Sequence, residues 1–406
     1  MDRLVVRSLG AVLLAACASA GAQPSPAATP APAVTASVQE PAAKPAFTDT
    51  LSFDRPQYPS TYQRRANPAV FIRNATIMTA TGPELTGASI LFRDGKIVAV
   101  GANIGTPPSD AQVIDGTGKF VTPGIIDTHS HIGVYAAPGT QAESDGNEAT
   151  NPVTAEVWAE HSIWPHDPQI PLAVAGGVTV AQILPGSANL IGGRSATIRL
   201  VPARTVQEMK YPGAPYGVKM ACGENPKRVY QNRGPSTRMG NMAGYRAAYI
   251  QAEQYRQRWD KWLADRKGDP PARDLKMETL AGVLRGEISV QNHCYRADEM
   301  AQMLDLAREF GFKIRSFHHG VEAYKIADLL AAAGTAASVW ADWGGFKMEA
   351  YDQITENLAL VTRAGARAVL HTDDPNGIQR MNQDAAKSMY AGNRAGIPVT
   401  RLQAIQ

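Results

Sequence analysis

The chain has 406 residues, 44% of them hydrophobic and 19% charged, with 40 Lys plus Arg against 37 Asp plus Glu. This balance suits a folded globular protein with one large core or two modest ones, and excludes a disordered, collagen-like or disulfide-stapled chain. A formal net charge of +3 gives no electrostatic case for nucleic acid or an anionic membrane as main partner, and 3 Cys cannot organise the fold.

Residues 1–22 read as a secretory signal. Arg3 and Arg7 make a short basic start, and Leu9 to Ala16 is an apolar run shorter than the roughly 20 residues that span a bilayer. Two processing sites fit. Ala20-Gly21-Ala22 before Gln23 has the small-x-small form of ordinary cleavage, whereas Leu14-Ala15-Ala16-Cys17 resembles the bacterial lipobox and would leave Cys17 lipidated. Either predicts an exported bacterial protein, periplasmic or lipid-anchored in the cell envelope, with Cys17 its only membrane attachment. Residues 23–67 are a linker and lead-in, rich in Pro and Ala to about Ala46, a composition that suits an extended tether.

Residues 68–118 predict a small all-β unit. Val70–Ala75 and Ala88–Phe92 are strand-like, Asp94-Gly95 is a hairpin turn pair, and Ile97–Val100 follows. From residue 119 to 406 the pattern changes to short apolar strands alternating with amphipathic helices. Strands are expected at Gly124–Asp127, Thr179–Leu184, Ala196–Leu200, Gly217–Ala221, Ile288–Asn292, Lys313–Phe317, Ala336–Ala341 and Ala368–His371. Asp298–Phe310 places Met300, Met303, Leu304, Ala307 and Phe310 on one stripe, stopped by Gly311. Further helices are expected at Glu322–Ala333 and Ile354–Ala364, and residues 243–285 read as a helical insertion between the fourth and fifth strands. The fold class is α/β, a (β/α)8 TIM-like barrel. An open doubly wound sheet is less consistent, because no glycine-rich dinucleotide fingerprint follows an early strand.

The candidate chemistry falls at strand ends. Asp127-Thr128-His129-Ser130-His131 ends the first barrel strand, and side chains two apart on a strand point the same way. His293 ends the fifth strand, His318-His319-Gly320 the sixth, and Asp373-Asp374 follows the eighth. In a barrel these ends converge on one face, where imidazole and carboxylate can hold a divalent cation, by default Zn²⁺. His161 and His166 sit in a Trp-rich loop outside this pattern, and His371 is expected to point away from the site. Cys222 and Cys294 are expected to be free thiols near strand ends.

The run Thr122-Pro123-Gly124-Ile125-Ile126-Asp127-Thr128-His129-Ser130-His131, with His293, His319-Gly320 and His371-Thr372-Asp373, resembles the metal-dependent amidohydrolase superfamily. Within it, the pattern is most similar to the imidazolonepropionase-like and Xaa-dipeptidase-like subgroup. The resemblance implies a metal-bearing barrel plus a small β-sandwich built from both chain ends, with residues 68–118 its N-terminal part. It implies His129 and His131 as ligands of a more buried metal, His293 and His319 as holders of a second, and Asp373 as ligand and proton shuttle. A bridging carboxylate is expected on the fourth strand. Lys219, carboxylated, and Glu224, already a carboxylate, both qualify; only one can serve, and Glu224 is preferred, while a single-metal site needs neither. The chain ends at Leu402–Gln406 inside an apparent helix, so the C-terminal half of the sandwich is expected to be missing.

The implied reaction is hydrolysis of a C–N bond, amide or cyclic amide, in a small-molecule or peptide-derived substrate, by one or two divalent metals, Zn²⁺ by default. Backbone N–H groups in 186–189 and 192–194, with Lys227 and Arg228, could meet a substrate carboxylate; ordinary turns and surface charge explain them equally well. Two other readings stand beside it: a single-metal deaminase of a heterocycle, and an exported protein that binds a ligand without turnover. A homo-oligomer is compatible with either.

Overall fold

The computed structural model describes residues 58–406, so the expected signal, Cys17 and most of the linker lie outside the described residues. β1 (Ala69–Ile77), β2 (Leu85–Arg93), β3 (Lys96–Gly101), β4 (Ala111–Asp115) and β5 (Phe120–Val121) make a five-stranded sheet. Its order is β3-β2-β1-β4, with β5 also on β1. Asp94 and Gly95 both take left-handed backbone, φ 52° and 71°, as the tight hairpin turn between β2 and β3 requires. Alternation places Ala75, Ile77, Ala88 and Ile90 in one buried cluster.

β6 (Ile125–Ser130), β7 (Val178–Ile183), β8 (Ile191–Arg199), β9 (Gly217–Ala221), β10 (Ser289–Cys294), β11 (Ile314–His319), β12 (Ala336–Val339) and β13 (Ala368–Leu370) form one eight-stranded sheet in chain order. The sheet curls until its ends nearly meet. At the seam the Asp373 amide donates to the His129 carbonyl at 3.2 Å, and Thr372 Oγ1 donates to Asp127 Oδ2 at 2.7 Å.

One strand departs from the expected all-parallel barrel: β8 is antiparallel to both β7 and β9. The link 184–190 is too short for the roughly dozen residues that a parallel crossover needs, so the chain turns back on itself. β8 also starts at Ile191 rather than Ala196, so residues 192–194 lie in the strand instead of a loop. Arg194 is buried there, its Nε donating to Thr279 Oγ1 at 2.8 Å and its guanidinium over the Trp158 ring.

The helices are α1 (Gln169–Ala175), α2 (Val206–Met209), α3 (Glu224–Val229), α4 (Arg238–Asp265), α5 (Leu275–Leu284), α6 (Ala297–Phe310), α7 (Ala327–Ala333), α8 (Asn357–Arg363), α9 (Met381–Arg394) and α10 (Arg401–Ile405). α6 buries the expected stripe, and Gly311 caps it at φ 72°. The insertion is α4 and α5. α4 buries Tyr245, Ala248, Tyr249, Ala252, Tyr255 and Trp259 on one face, the spacing of a single helical stripe. Tyr245 Oη donates to the Ala221 carbonyl and Tyr249 Oη reaches Met220 Sδ, so the insertion backs β9. α10 lies by the first sheet, with Arg401 Nε 3.0 Å from Glu84 Oε1. No helix among the described residues is long and apolar enough to cross a membrane.

Cys222 and Cys294 form a disulfide, with Cα atoms 5.2 Å apart, which corrects the expectation of free thiols. The cause is register. Met220 pairs with Asn292 and Ala221 with His293 across the parallel ladder, so one step further the two cysteines face each other.

Candidate metal centre

β6 supplies the first group of donors. His129 and His131 project from the same side of its end, as the two-residue period dictates, and their Nε2 atoms lie 3.4 Å apart. His131 Nδ1 donates to the Leu184 carbonyl at 2.8 Å. That bond leaves the Nε2 lone pair aimed inward, the usual way a second partner orients a ligating imidazole. Asp127, fully buried, accepts from the His129 amide at 3.1 Å and from Thr372. Burial pushes its carboxyl up to about 7 in spite of those hydrogen bonds.

Asp373 arrives from the opposite side of the seam. Its Oδ1 lies 3.2 Å from His129 Nε2 and 3.1 Å from His131 Nε2, and its Oδ2 lies 3.8 Å from His319 Nδ1. Burial alone would raise this carboxyl, but facing His319, His131 and His371 outweighs it and holds Asp373 well below the usual carboxylate range. Asp373 and His319 both adopt left-handed backbone, φ 64° and 72°, uncommon for non-glycine residues and frequent where structure over-determines a site. Asp374 instead accepts from the Asn376 and Gly377 amides and caps the following turn.

β9 brings Lys219 into the centre. Its Nζ is fully buried, 3.4 Å from His129 Nε2, and donates to the Pro185 carbonyl at 2.9 Å. Burial lowers the amine to about 7, with Asp373 opposing. Glu224 is elsewhere: it opens α3, keeps 31% of its side chain exposed, and sits 3.5 Å from Lys347 Nζ. Lys219, not the preferred Glu224, is therefore the fourth-strand group placed against His129. Lys227 and Arg228 lie in the last turn of α3.

His293 and His319 complete the cluster, their rings 4.6 Å apart. His319 stacks on Trp340 at 4.4 Å and on Tyr295 at 5.4 Å. Asn225 Nδ2 stands 3.5 Å from His293 Nε2. His318 turns the other way and donates from Nε2 to Gln291 Oε1 at 2.7 Å. Burial, reinforced by Lys219 at His129 and by Lys347 at His293, holds His129, His293 and His319 neutral, well below the usual imidazole range. Neutral imidazole is the form that ligates a metal.

His371 does not point away. It is buried and stacks on His129 at 5.2 Å, with its ring 5.0 Å from that of His319. β13 ends at Leu370 and Asp373 has left-handed backbone, so a straight-strand extrapolation from Asp373 does not give the direction of the His371 side chain. His161 stacks on Trp158 at 5.6 Å and is a packing residue of its loop. His166 lines a separate cavity with Pro165 and Arg204.

The donor set fits a divalent cation. The Nε2–Nε2 and Nε2–Oδ1 separations approach the edge of a tetrahedron whose metal–ligand bonds are about 2.0–2.1 Å. Buried ring nitrogens of His129, His293, His319 and His371 lack hydrogen-bond partners, a condition that proteins seldom leave unrelieved.

No family model matches the sequence. The crystal structure of an amidohydrolase from Thermotoga maritima MSB8 is 38% identical, with TM-score 0.75, over 82% of this chain and 85% of that one. The chain belongs to the amidohydrolase superfamily. This amidohydrolase is also 35% identical over 309 residues to amidohydrolase tasK of Hapsidospora irregularis, a match covering 70% of the chain but 31% of tasK. A D-hydantoinase from Geobacillus stearothermophilus is 42% identical over 79 residues, 20% of the chain and 16% of the relative. The amidohydrolase described here thus spans only a minor part of the length of these two relatives.

Proposed function

We propose that the protein hydrolyses a C–N bond, amide or cyclic amide, in a small peptide-derived substrate. The observation that carries this reading is the convergence of His129 Nε2, His131 Nε2 and Asp373 Oδ1 within 3.1–3.4 Å of one another. His129, His131, Lys219, His293, His319 and Asp373 would hold one or two divalent cations, Zn²⁺ being the default for N and O donors. When bound, such a cation supplies Lewis acidity, polarising a carbonyl and lowering the pKa of water from 15.7 to about 7.

The chain's own residues do the rest. Asp373, ionised and 23% exposed, accepts a proton from the attacking water and returns it to the leaving nitrogen. Lys219, with its amine at about 7, is partly neutral at physiological pH and can add to CO₂. That forms an N–C bond, releases one proton and leaves the bridging carboxylate that Glu224 is badly placed to supply. ¹³C NMR of protein equilibrated with labelled bicarbonate reads this directly: a carbamate resonance lost in Lys219→Ala supports it, and no resonance in the parent rejects it.

The buried disulfide supports the further proposal of export, since disulfides persist in oxidising compartments. Elemental analysis of protein purified without chelator, paired with assays on dipeptide, N-acyl amino acid and lactam panels, tests the reading. One or two equivalents of metal and release of a C–N product support it. Metal-free protein that gains no activity with Zn²⁺ or Mn²⁺ sinks it.

A further inference from the structure

His371 is buried and sits two residues before Asp373, yet neither of its ring nitrogens has a hydrogen-bond partner. An imidazole in that position is missing both a donor and an acceptor contact, and buried polar groups are almost always paired. Its surroundings give no protein partner to either nitrogen: the ring lies on His129, beside His319, and 5.5 Å from the Trp340 ring. His318, also nearby, is already held by Gln291. What does converge with His371 is a set of ligand atoms. One ring nitrogen each of His129, His319 and His371 lies within 4.8 Å of the others, and all three residues are buried. This set differs from His129, His131 and Asp373, which includes a carboxylate and reaches solvent.

We propose that His371 is a direct metal ligand, forming with His129 and His319 an all-imidazole set on the inner side of the centre. The proposal rests on the metal-centre reading above and deepens it. Three imidazoles favour a borderline cation of the Zn²⁺, Co²⁺ or Ni²⁺ kind, whereas Mg²⁺ and Mn²⁺ favour oxygen donors. The inner set therefore gives the centre a preference that the carboxylate-bearing set alone does not.

Affinity alone does not separate a ligand from a residue acting through one, because loss of an outer partner also weakens metal binding by roughly 10–100-fold. The deciding readout is the number of imidazoles on the ion. Zn²⁺-loaded full-length protein is compared with His371→Asn by X-ray absorption fine structure at the zinc edge. The expected result is one fewer imidazole on an ion in the variant, with Zn²⁺ affinity falling at least about 10-fold and Mn²⁺ affinity changing much less. An unchanged imidazole count overturns the assignment of His371 and leaves the metal centre standing. The parent is also titrated with Zn²⁺ under ¹⁵N-histidine NMR. A His371 ring nitrogen that shifts at the first equivalent supports ligation; one that stays put overturns it. A parent that takes up no metal rejects the centre itself.

Discussion

In the proposed reaction Asp373 would concentrate the chemistry in one side chain, because the same carboxylate faces two imidazoles and the solvent. Asp373→Asn keeps the shape and removes both the charge and the proton acceptor. The expected loss in kcat per bound metal is about 10²–10⁴-fold, with metal affinity also weakened because a neutral amide replaces a proposed carboxylate ligand; steady-state kinetics on metal-saturated protein beside elemental analysis checks it, and a variant within a few-fold of the parent assigns the proton transfer elsewhere. A second residue effect concerns binding. Phe346, 58% exposed, stands against Trp340 and Tyr295 on the wall next to His319. Phe346→Ala should raise KM roughly tenfold for substrates with an apolar side chain, with kcat little changed; a selective fall in kcat would contradict a purely binding role. These contrasts mark what single residues disclose. His129, His131 and Asp373 were legible because strand-end spacing and barrel convergence are local rules. His371, Tyr295 and Trp340 were not, because nothing in a sequence says which of several buried rings will stack. Lys219 against Glu224 was undecidable for the same reason: a strand residue points in or out by register, and only pairing of β9 with β10 sets that register.

Elements explain why those residues stay in place. β9 carries Lys219, and the α4 stripe of Tyr245, Tyr249, Tyr255 and Trp259 packs behind it. The insertion was visible as a helical stretch, but its role as a brace follows from the tyrosine hydroxyls that reach Ala221 and Met220. β8 shows the opposite case. Its hydrophobic pattern announced a strand, yet its reversed direction came from the length of one loop rather than from composition. The disulfide was equally hidden, since two cysteines 72 residues apart become neighbours only once β9 and β10 pair. It closes the whole insertion at its root. Loop-closure entropy gives such a link up to about 4 kcal/mol. The Cys222→Ser, Cys294→Ser pair should therefore lose several kcal/mol in urea unfolding while becoming indifferent to reductant. A loss below about 1 kcal/mol would mean that the unfolded chain is already constrained there. Because Cys222 and Cys294 are 4% and 0% exposed, reductant should act on the parent only after unfolding.

At the scale of the molecule, the candidate metal centre straddles the weakest line of the barrel. β6 and β13 meet through the Asp373 amide on the His129 carbonyl and the Thr372 hydroxyl on Asp127, not through a ladder of the kind that joins the other strands. The donors brought together at that seam, His131 from one side and Asp373 from the other, would be tied across it by a bound cation, which would couple metal binding to barrel closure. Two consequences can be measured. Chelation should lower the thermal midpoint; a ligand at 100 times its Kd adds about 2.7 kcal/mol to stability. Thr372→Val should break the tie at the seam and leave a buried Asp127 oxygen short of a donor, at about 1–3 kcal/mol. If closure and metal binding are one event, the variant also binds Zn²⁺ more weakly, and saturating Zn²⁺ recovers part of its lost stability. If the seam is merely a local hydrogen bond, the stability loss appears without any change in Zn²⁺ affinity. Calorimetric titration and thermal unfolding of the same samples separate the two outcomes, because linkage requires that whatever favours the closed barrel also favours the ion.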